Sequence, residues 1–539
     1  MNPARAPYAL RLPNPGKHLY PPPLTDIEPS VASALLAEAP QGGVRAQLYI
    51  HLPFCATICT FCPIYKFELR SAGAVDTYLS ALTTELRDLS QRALIRALRV
   101  ENVYFGGGTP SVVPDHHLAA LVALIRRSFD VSPAAQWTFE GHVGSLTKDK
   151  LRFVRSLGFD RVSTGVQTFD PTLRAALNLT PTEADIRRCV DDARAVGLTH
   201  FNLDLMYSLP GQDERAWEQD LRTTGDINPQ GVDVYETVVA HGTQLYGEVA
   251  QGARRVEPDP RRRAAQYTLA EEVLASHGYR QRNLFVWDQP GYENRLLGRQ
   301  SELRDQHLHI VGAGLSSYSL LNGRPFINAI GRKRYFDQVA RVGHGIAAYH
   351  DPTPRQRMER FMVMSLEDFT IDARRFTASF GQDVEDAFGA QLDSFADRGL
   401  LTASGDGYDL TPRGRAWAST MAAEFFDAPV IAEILRTRLA GRPFYPLTHE
   451  EAIEFPLFAL FHPQLIFPAR SDLRLFARYL WYLFRHERDW LRRLVASARV
   501  ALLVYGPPDL GRVLPGTRTM RRARRDADAP ESARAVRLS

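Results

Sequence analysis

Cysteine is scarce in this chain, with four in 539 residues. They form no even, regularly spaced set, which excludes a secreted scaffold built on disulfides. Long apolar runs are also lacking. The longest candidate, 455–467, is broken by His462 and Pro463 and is too short to cross a bilayer. The opening Met-Asn-Pro-Ala-Arg-Ala-Pro has none of the apolar core of a signal peptide. These absences lead to the expectation of a cytoplasmic protein without a membrane partner. Charge of one sign is missing too, outside one place. From Arg512 onward eight Arg stand against three acidic residues, so the formal +4 belongs to that end and the rest is close to neutral. A nucleic-acid enzyme would carry a basic face in its folded part; none is visible, and nucleic acid is not an expected partner.

What is present reads as a large soluble protein, 45% hydrophobic and 23% charged. From residue 47 a rhythm begins in which short β-branched or apolar runs alternate with amphipathic stretches. The runs at 47–51, 100–105, 136–140, 161–167, 201–206 and 233–239 predict strands. The stretches at 76–89, 117–129 and 183–195 predict helices between them. Such alternation means a parallel sheet with crossover helices. Six units are too few for a closed eight-fold barrel and enough for a partial, open one, whose ligands sit at the carboxyl ends of the strands.

The organisation expected from composition has five parts. Residues 1–44, with Pro21-Pro22-Pro23, predict an extended arm with little internal structure. Residues 45–350 hold the barrel. Residues 351–425 combine helices with a tight hairpin around Gly405-Asp-Gly and read as a winged-helix-like module, a lid or docking domain because its helices are not basic. Residues 426–511 predict a helical extension, in which Leu473, Phe476, Leu480, Leu483, Phe484, Leu491 and Leu494 share one packing stripe. Residues 512–539 predict an Arg-rich, solvated tail.

Three of the four cysteines lie within eight positions, in Tyr49-Ile-His-Leu-Pro-Phe-Cys55-Ala-Thr-Ile-Cys59-Thr-Phe-Cys62, directly after the first strand. One loop can wrap these thiolates around a single centre. No second Cys-x-x-Cys arm follows, as a structural zinc site would need. Three thiolates with an open fourth position suggest a cuboidal iron–sulfur cluster with one uncovered iron. Zinc completed by His51, or plain burial of the cysteines, are the alternatives. After the second strand comes Gly106-Gly-Gly-Thr-Pro-Ser, which reads as a turn that brings backbone close to a ligand, or as a tight strand-to-helix turn alone. No Gly-Lys-Ser/Thr follows, so it is not a phosphate-binding P-loop.

Taken together, Cys-x3-Cys-x2-Cys and Gly-Gly-Gly-Thr-Pro resemble the radical S-adenosylmethionine (SAM) superfamily. More narrowly the chain resembles oxygen-independent coproporphyrinogen III oxidase and its relatives across residues 45–425. Gly165-Val-Gln-Thr-Phe-Asp, Asn202-Leu-Asp-Leu-Met-Tyr-Ser-Leu-Pro-Gly-Gln and Val311-Gly-Ala-Gly carry the likeness further. The resemblance implies an α/β fold: a partial (β/α)6 radical SAM barrel, with a C-terminal winged-helix-like domain and an extra helical extension. It implies a [4Fe–4S] cluster on Cys55, Cys59 and Cys62, with SAM chelated to the bare iron and cleaved after one-electron reduction by a partner such as flavodoxin or ferredoxin. By matching position, Tyr49, Gly107 and Glu140 would contact that SAM. Phe61, Gly108, Thr109, Gln167 and Asp204, with Val238 beside them, would face a second SAM. Where the authentic oxidase has a basic residue after an Asn, this chain has Asn178-Leu179, a departure at the second-SAM subsite.

The surroundings Cys-Ala-Thr-Ile-Cys-Thr-Phe-Cys-Pro-Ile-Tyr and Phe139-Glu-Gly are similar to the haem-utilisation branch, which implies a tetrapyrrole substrate and haem methylation or ring opening. A sister branch, the class C methyltransferases and cyclopropanases of natural-product pathways, would imply a small aromatic substrate. A third branch traffics haem as a chaperone and carries His-Asn-x-x-Tyr-Trp. The corresponding stretch here, from Tyr292, has no His or Trp, with His307 and His309 just after. The catalytic acid or base is not assigned by these patterns.

Overall fold

In the expected strands at 47–51, 136–140 and 201–205 every second residue is apolar and the other face carries polar side chains or Tyr49; at 100–105 the alternation changes phase, where the register shifts between Val100 and Asn102. The computed structural model describes residues 7–8, 20–21, 25–239, 243–257, 259–292 and 308–426, and the extension and tail expected at 426–511 and 512–539 lie outside them save Phe426. Six parallel strands stand side by side in chain order: β1 (Arg45–Leu52), β2 (Arg99–Gly107), β3 (Asp130–Gly141), β4 (Arg161–Gln167), β5 (His200–Tyr207) and β6 (Gly231–Glu236). The last ends short of the expected 239, so Val238 follows the strand. A seventh, β7 (Leu308–Ala313), runs parallel to β1 on its other side.

The sheet then continues antiparallel at both ends. Beyond β7 come Tyr318–Leu321, Arg324–Asn328, Ile346–Tyr349 and Thr25–Asp26, and beyond β6 come Val286–Asp288 and Arg280–Gln281. The two outermost strands are not hydrogen-bonded to each other, so the curved sheet stays open.

The apolar faces settle which side turns inward. Leu48, Ile50, Val103, Phe105, Phe139, Val162, Leu203, Leu205 and Val234 share one core with Leu82, Leu86, Leu121, Ile125, Ile186, Val190, Trp217 and Leu221 of the intervening helices. Burying each such side chain contributes roughly 1.5–3 kcal/mol. A slip of one residue would drive Tyr49, Tyr104 and Glu140 into that core, so register is strongly specified.

Helix Ala72–Gln91 carries one buried acid that stitches the open side. Glu85 accepts from Gly314 N at 2.7 Å, Tyr335 Oη at 2.7 Å, Asn328 Nδ2 at 2.7 Å and Gly345 N at 2.8 Å. Burial raises this carboxyl above its ordinary range, and the four donors offset part of that shift. The Val311-Gly-Ala-Gly stretch belongs to this brace, because a Cβ on Gly314 would meet Tyr78 Oη at 2.6 Å and His51 O at 2.7 Å.

The arm at 1–44 differs from the extended segment its prolines predicted. Residues Pro29–Leu35 form a helix, and Thr25–Asp26 joins the main sheet beside Ile346–Tyr349. Tyr20 is buried and stacks on Phe426 at 4.7 Å, and Tyr8 stacks on Trp417 at 5.7 Å. Aromatic rings spaced along a polar, Pro-rich segment give it the buried area that composition alone hides. Within 351–425, helices Pro354–Glu367, Ala373–Phe380 and Val384–Asp397 pack with a three-stranded sheet of Thr370–Asp372, Gly407–Leu410 and Leu401–Ser404. No helix among the described residues is long and apolar enough to cross a membrane.

Candidate functional site

The polar faces of β1–β6 line the concave side of the sheet, and their carboxyl ends meet the cysteine loop. Cys55 ends the short strand Phe54–Cys55, which runs parallel to Phe67–Glu68. Leu69 N donates to Cys55 O at 2.8 Å and Phe67 N to Pro53 O at 2.8 Å, so the loop is closed on itself. Its far side is tied to the segment after β4. Asp170 caps helix Pro171–Ala176 through Thr172 N and Leu173 N, both at 2.8 Å. The chain then turns at Asn178, with φ of 60°, and Asn178 Nδ2 reaches Ile58 O at 2.8 Å.

Cys55 is buried, Cys59 and Cys62 are half-buried, and none is in a disulfide. Burial pushes the Cys55 and Cys59 thiols up, Cys59 to about 12; the neighbouring sulfurs push the same way while Lys66 opposes them. Three sulfurs grouped like this become thiolates only around a cationic centre. His51 is not free to complete a zinc site. Its Nε2 is 2.9 Å from Tyr65 O and its Nδ1 3.1 Å from the Tyr49 hydroxyl. Among the described residues no three His, Cys, Asp or Glu side chains converge on a single-ion position. A cuboidal cluster spreads its ligands over separate irons, and the donor set of three thiolates without a fourth fits it. The remaining cysteine, Cys189, is buried in helix Glu183–Ala195 and packs in the core.

The three glycines at the end of β2 do something other than offer donors to a ligand. Gly107 N donates to Glu140 Oε2 at 3.1 Å, Gly108 N to Leu52 O at 2.9 Å and Thr109 N to Phe54 O at 2.6 Å. A Cβ on Gly106 would meet Glu140 Oε2 at 2.7 Å, and one on Gly108 the Phe54 backbone at 2.7 Å. The close approach they permit is between this turn, Glu140 and the cysteine loop. Thr109 Oγ1 also lies 3.4 Å from Cys55 Sγ.

Glu140, at the end of β3, takes the Tyr104 hydroxyl on Oε1 at 2.5 Å. Burial raises its carboxyl, while Tyr104, Gly107 N–H and Arg161 draw it back. Tyr49 sits on the neighbouring strand with its ring 5.8 Å from Tyr104. Gln167 ends β4 in the left-handed region, with φ of 67°, an uncommon place for a residue with a side chain. A Cβ on Gly165 would lie 2.3 Å from Gln167 Nε2, so that glycine makes room for the amide to fold back. Asp204, on β5, accepts from Ser163 Oγ at 3.0 Å and Asn202 Nδ2 at 2.8 Å. Burial, Asp233 and Glu140 all push its carboxyl well above the usual range.

Tyr49, Gly107, Gly108, Thr109 and Glu140 are therefore joined to one another and to the cysteine loop, while Gln167 ends β4 and Asp204 lies on β5, within the field of Glu140. Phe61 and Cys59 pack against a small apolar cluster of Leu173, Leu177, Leu179, Met206 and Leu209. Leu179 thus makes the wall beside Phe61 apolar. The nearby Arg174 is spent on the carbonyls of Val166, Thr168 and Pro181. Val238 lies half-buried just past β6, the outermost of the proposed contacts. The Gln212 end of the Leu-Pro-Gly-Gln stretch is structural, joining Met206 O at 3.2 Å to Asp220 Oδ2 at 3.1 Å. The chaperone-related stretch 293–303 and His307 lie outside the described residues, and His309 is buried with Nε2 3.1 Å from Gly43 O.

Sequence patterns missed Arg161, Asp233 and Tyr235 deeper on the same face. Arg161 is buried with Nη2 3.8 Å from Asp233 Oδ2, and Tyr235 Oη donates to Asp233 at 3.3 Å. Burial raises the Asp233 carboxyl to about 6. A signal did exist: polar residues recur at every second position of strands otherwise buried on both faces.

Comparison with known proteins bears on the family and the fold. Residues 49–224 match the radical SAM superfamily and residues 353–417 the HemN C-terminal domain. The chain is 27% identical to the heme chaperone HemW of Bacillus subtilis over 68% of its length and 95% of that protein. It is 27% identical to the anaerobilin synthase of Escherichia coli O157:H7 over 69% of its length and 82% of that protein. It is 26% identical to the oxygen-independent coproporphyrinogen III oxidase of Escherichia coli K12, over 68% and 82%. The solved coproporphyrinogen III oxidase (HemN) of Escherichia coli shares the fold, with a TM-score of 0.66 at 24% identity over 75% of this chain and 96% of that one. A [4Fe–4S] cluster and SAM are the cofactors this membership carries. The chain belongs to the radical SAM superfamily, in its oxygen-independent coproporphyrinogen III oxidase-like family.

Proposed function

We propose that this protein is an enzyme that cleaves SAM reductively and starts radical chemistry at a carbon centre of a porphyrin- or haem-type tetrapyrrole. The observation that carries the reading is the meeting of a three-thiolate loop, with no fourth protein ligand among the described residues, and a polar concave face at one edge of the sheet. When bound, a [4Fe–4S] cluster supplies the electron and SAM the radical; the protein's share is binding, orientation and exclusion of side reactions.

Cys55, Cys59 and Cys62 would hold three irons, with Asn178 and Lys66 fixing the loop around them. Tyr49 and Glu140 would position the first SAM. Glu140 keeps lone pairs beyond those used by Gly107 and Tyr104, enough to accept from a ribose hydroxyl or an ammonium. The Gly107 turn keeps that carboxylate in place. Phe61, Gly108, Thr109, Gln167, Asp204 and Val238 would line a second ligand position. Leu179 leaves that position without a cation on one wall, so a carboxylate there would have to be met elsewhere. The names heme chaperone and coproporphyrinogen III oxidase among the relatives support the tetrapyrrole class.

The test is anaerobic incubation of the reduced protein with SAM and, separately, haem or coproporphyrinogen, followed by mass spectrometry. A modified tetrapyrrole appearing with 5′-deoxyadenosine supports the reading. 5′-Deoxyadenosine with both tetrapyrroles untouched would turn the assignment toward a natural-product substrate. There, methyl-labelled SAM that passes its label to product would mark a C-methyltransferase or cyclopropanase. The HemW likeness favours a second reading, haem carriage without turnover; stoichiometric haem binding with no SAM cleavage would establish it instead.

A further inference from the structure

The outer side of the cysteine loop presents a surface that the chemistry above does not use. Past Cys62 the chain emerges through Pro63 and Ile64, and Ile64 is 41% exposed, an unusual opening for an aliphatic side chain in this fold. Cations gather around it from two elements. Lys66 Nζ bonds the carbonyls of Cys62 and Ile64, and its field reaches the Cys55 and Cys59 thiols. Arg70 follows the strand Phe67–Glu68 with its side chain 84% exposed.

The second element is the helix Arg332–Val342. Its first turn holds Arg332, Lys333 and Arg334, all exposed, and no acidic residue. Arg332 lies over the Phe67 ring at 5.0 Å, and a Cβ on Gly331 would be 3.8 Å from the Tyr65 hydroxyl. The two elements therefore form one continuous patch. Three basic side chains at the positive end of a helix oppose its dipole, so helix stability does not account for them. The acids within reach are Glu68, Asp337 and Asp26, paired with Arg70, Lys333 and Arg334. Five cations against three carboxylates leave the patch positive around an apolar centre.

The geometry points to this surface as the docking site of a small acidic protein that delivers single electrons to the centre behind the loop. This rests on the reading that Cys55, Cys59 and Cys62 hold an iron–sulfur cluster. The patch is built on the segment that follows Cys62, whose carbonyl Lys66 bonds, and on the helix packed against Tyr65 and Phe67, so a carrier seated here meets the chain that leaves the cysteine loop. Electron-transfer encounters of this kind are small, under about 1,200 Å², and gain rate from charge complementarity more than from area. In the step itself the carrier loses one electron and the oxidised cluster gains it, with no bond made or broken.

The test uses the full chain loaded anaerobically with iron and sulfide, mixed with reduced flavodoxin, an acidic one-electron carrier. Reduction is followed by loss of visible absorbance. Lys333→Glu with Arg334→Glu is the variant, and Arg70→Glu with Lys333→Glu a second. The expected result is a fall of about tenfold or more in the second-order rate with flavodoxin, a weaker salt dependence than wild type, and an unchanged rate with dithionite. Equal rates of both variants and wild type with flavodoxin would overturn the proposal. So would an equal fall with dithionite, which would place the effect on the centre itself. A chain that binds no iron and sulfide would overturn the cluster reading and this inference with it, whereas dithionite-driven SAM cleavage with flavodoxin rates indifferent to the variants would remove this inference alone.

Discussion

The imidazole of His51 occupies the space that a side chain at Gly107 would need: a Cβ there would lie 2.6 Å from Nδ1 and Cε1 of the ring. Strands β1 and β2 thus end in contact. Burial pulls the His51 pKa down to about 4, so the ring is neutral at ordinary pH. Its partners fix the tautomer, because Nε2 faces a carbonyl and must donate, leaving Nδ1 to accept from the Tyr49 hydroxyl. One neutral ring therefore joins Tyr49, the glycine turn and the end of the cysteine loop.

Gly107→Ala should be strongly destabilising. Position 107 has φ of 110°, which costs a side chain about 1–3 kcal/mol, and contact with His51 adds to it. His51→Ala should recover the contact part and leave the backbone part, giving a coupling of about 1 kcal/mol in a double-mutant cycle by denaturant unfolding. A Gly107→Ala protein as stable as wild type would refute this account of the turn.

Glu140→Gln should weaken SAM binding about tenfold or more while iron per chain stays constant. An amide has one acceptor oxygen where the carboxylate has two, so either Gly107 N–H and Tyr104 or the ligand goes without. Anaerobic calorimetry with metal analysis measures both quantities. Unchanged affinity would remove Glu140 from the proposed contacts.

Asp233 gives a pH dependence of definite sign. Its folded pKa of about 6 lies above the ordinary 3.8, so the folded protein holds the proton more tightly than the unfolded chain. The stability tied to that proton is complete below pH 3.8 and is lost as pH rises through about 6. Asp233→Asn imitates the protonated form. Relative to wild type, its unfolding free energy should rise between pH 4.5 and pH 7.5, by on the order of 2 kcal/mol. A difference that stays flat, or changes the other way, would contradict the raised carboxyl.

Much of this architecture was legible in the residues. Alternation along 47–51, 136–140 and 201–205 announces strands because each side chain at the wrong face would cost burial. The spacing of Cys55, Cys59 and Cys62 announces a centre because one loop must wrap it. Pairings between distant strands left no local mark. Arg161 and Asp233 are 72 residues apart and meet only once the sheet curves. Leu179 reads as a lost cation, whereas in the fold it completes an apolar wall with Met206 and Leu209. The glycines were recognisable as a close approach, but what approaches them, Glu140 and the Phe54 backbone, depends on β3 and on the return of the cysteine loop.

The central claim is that Cys55, Cys59 and Cys62 hold a cluster at which SAM is split. The most direct measurement counts iron, sulfide and 5′-deoxyadenosine in anaerobically prepared wild type and Cys59→Ala under dithionite. About four irons and four sulfides per chain with 5′-deoxyadenosine formed, and loss of both on substitution, is the predicted result. Zinc in place of iron, or an intact cluster that never yields 5′-deoxyadenosine, would contradict it.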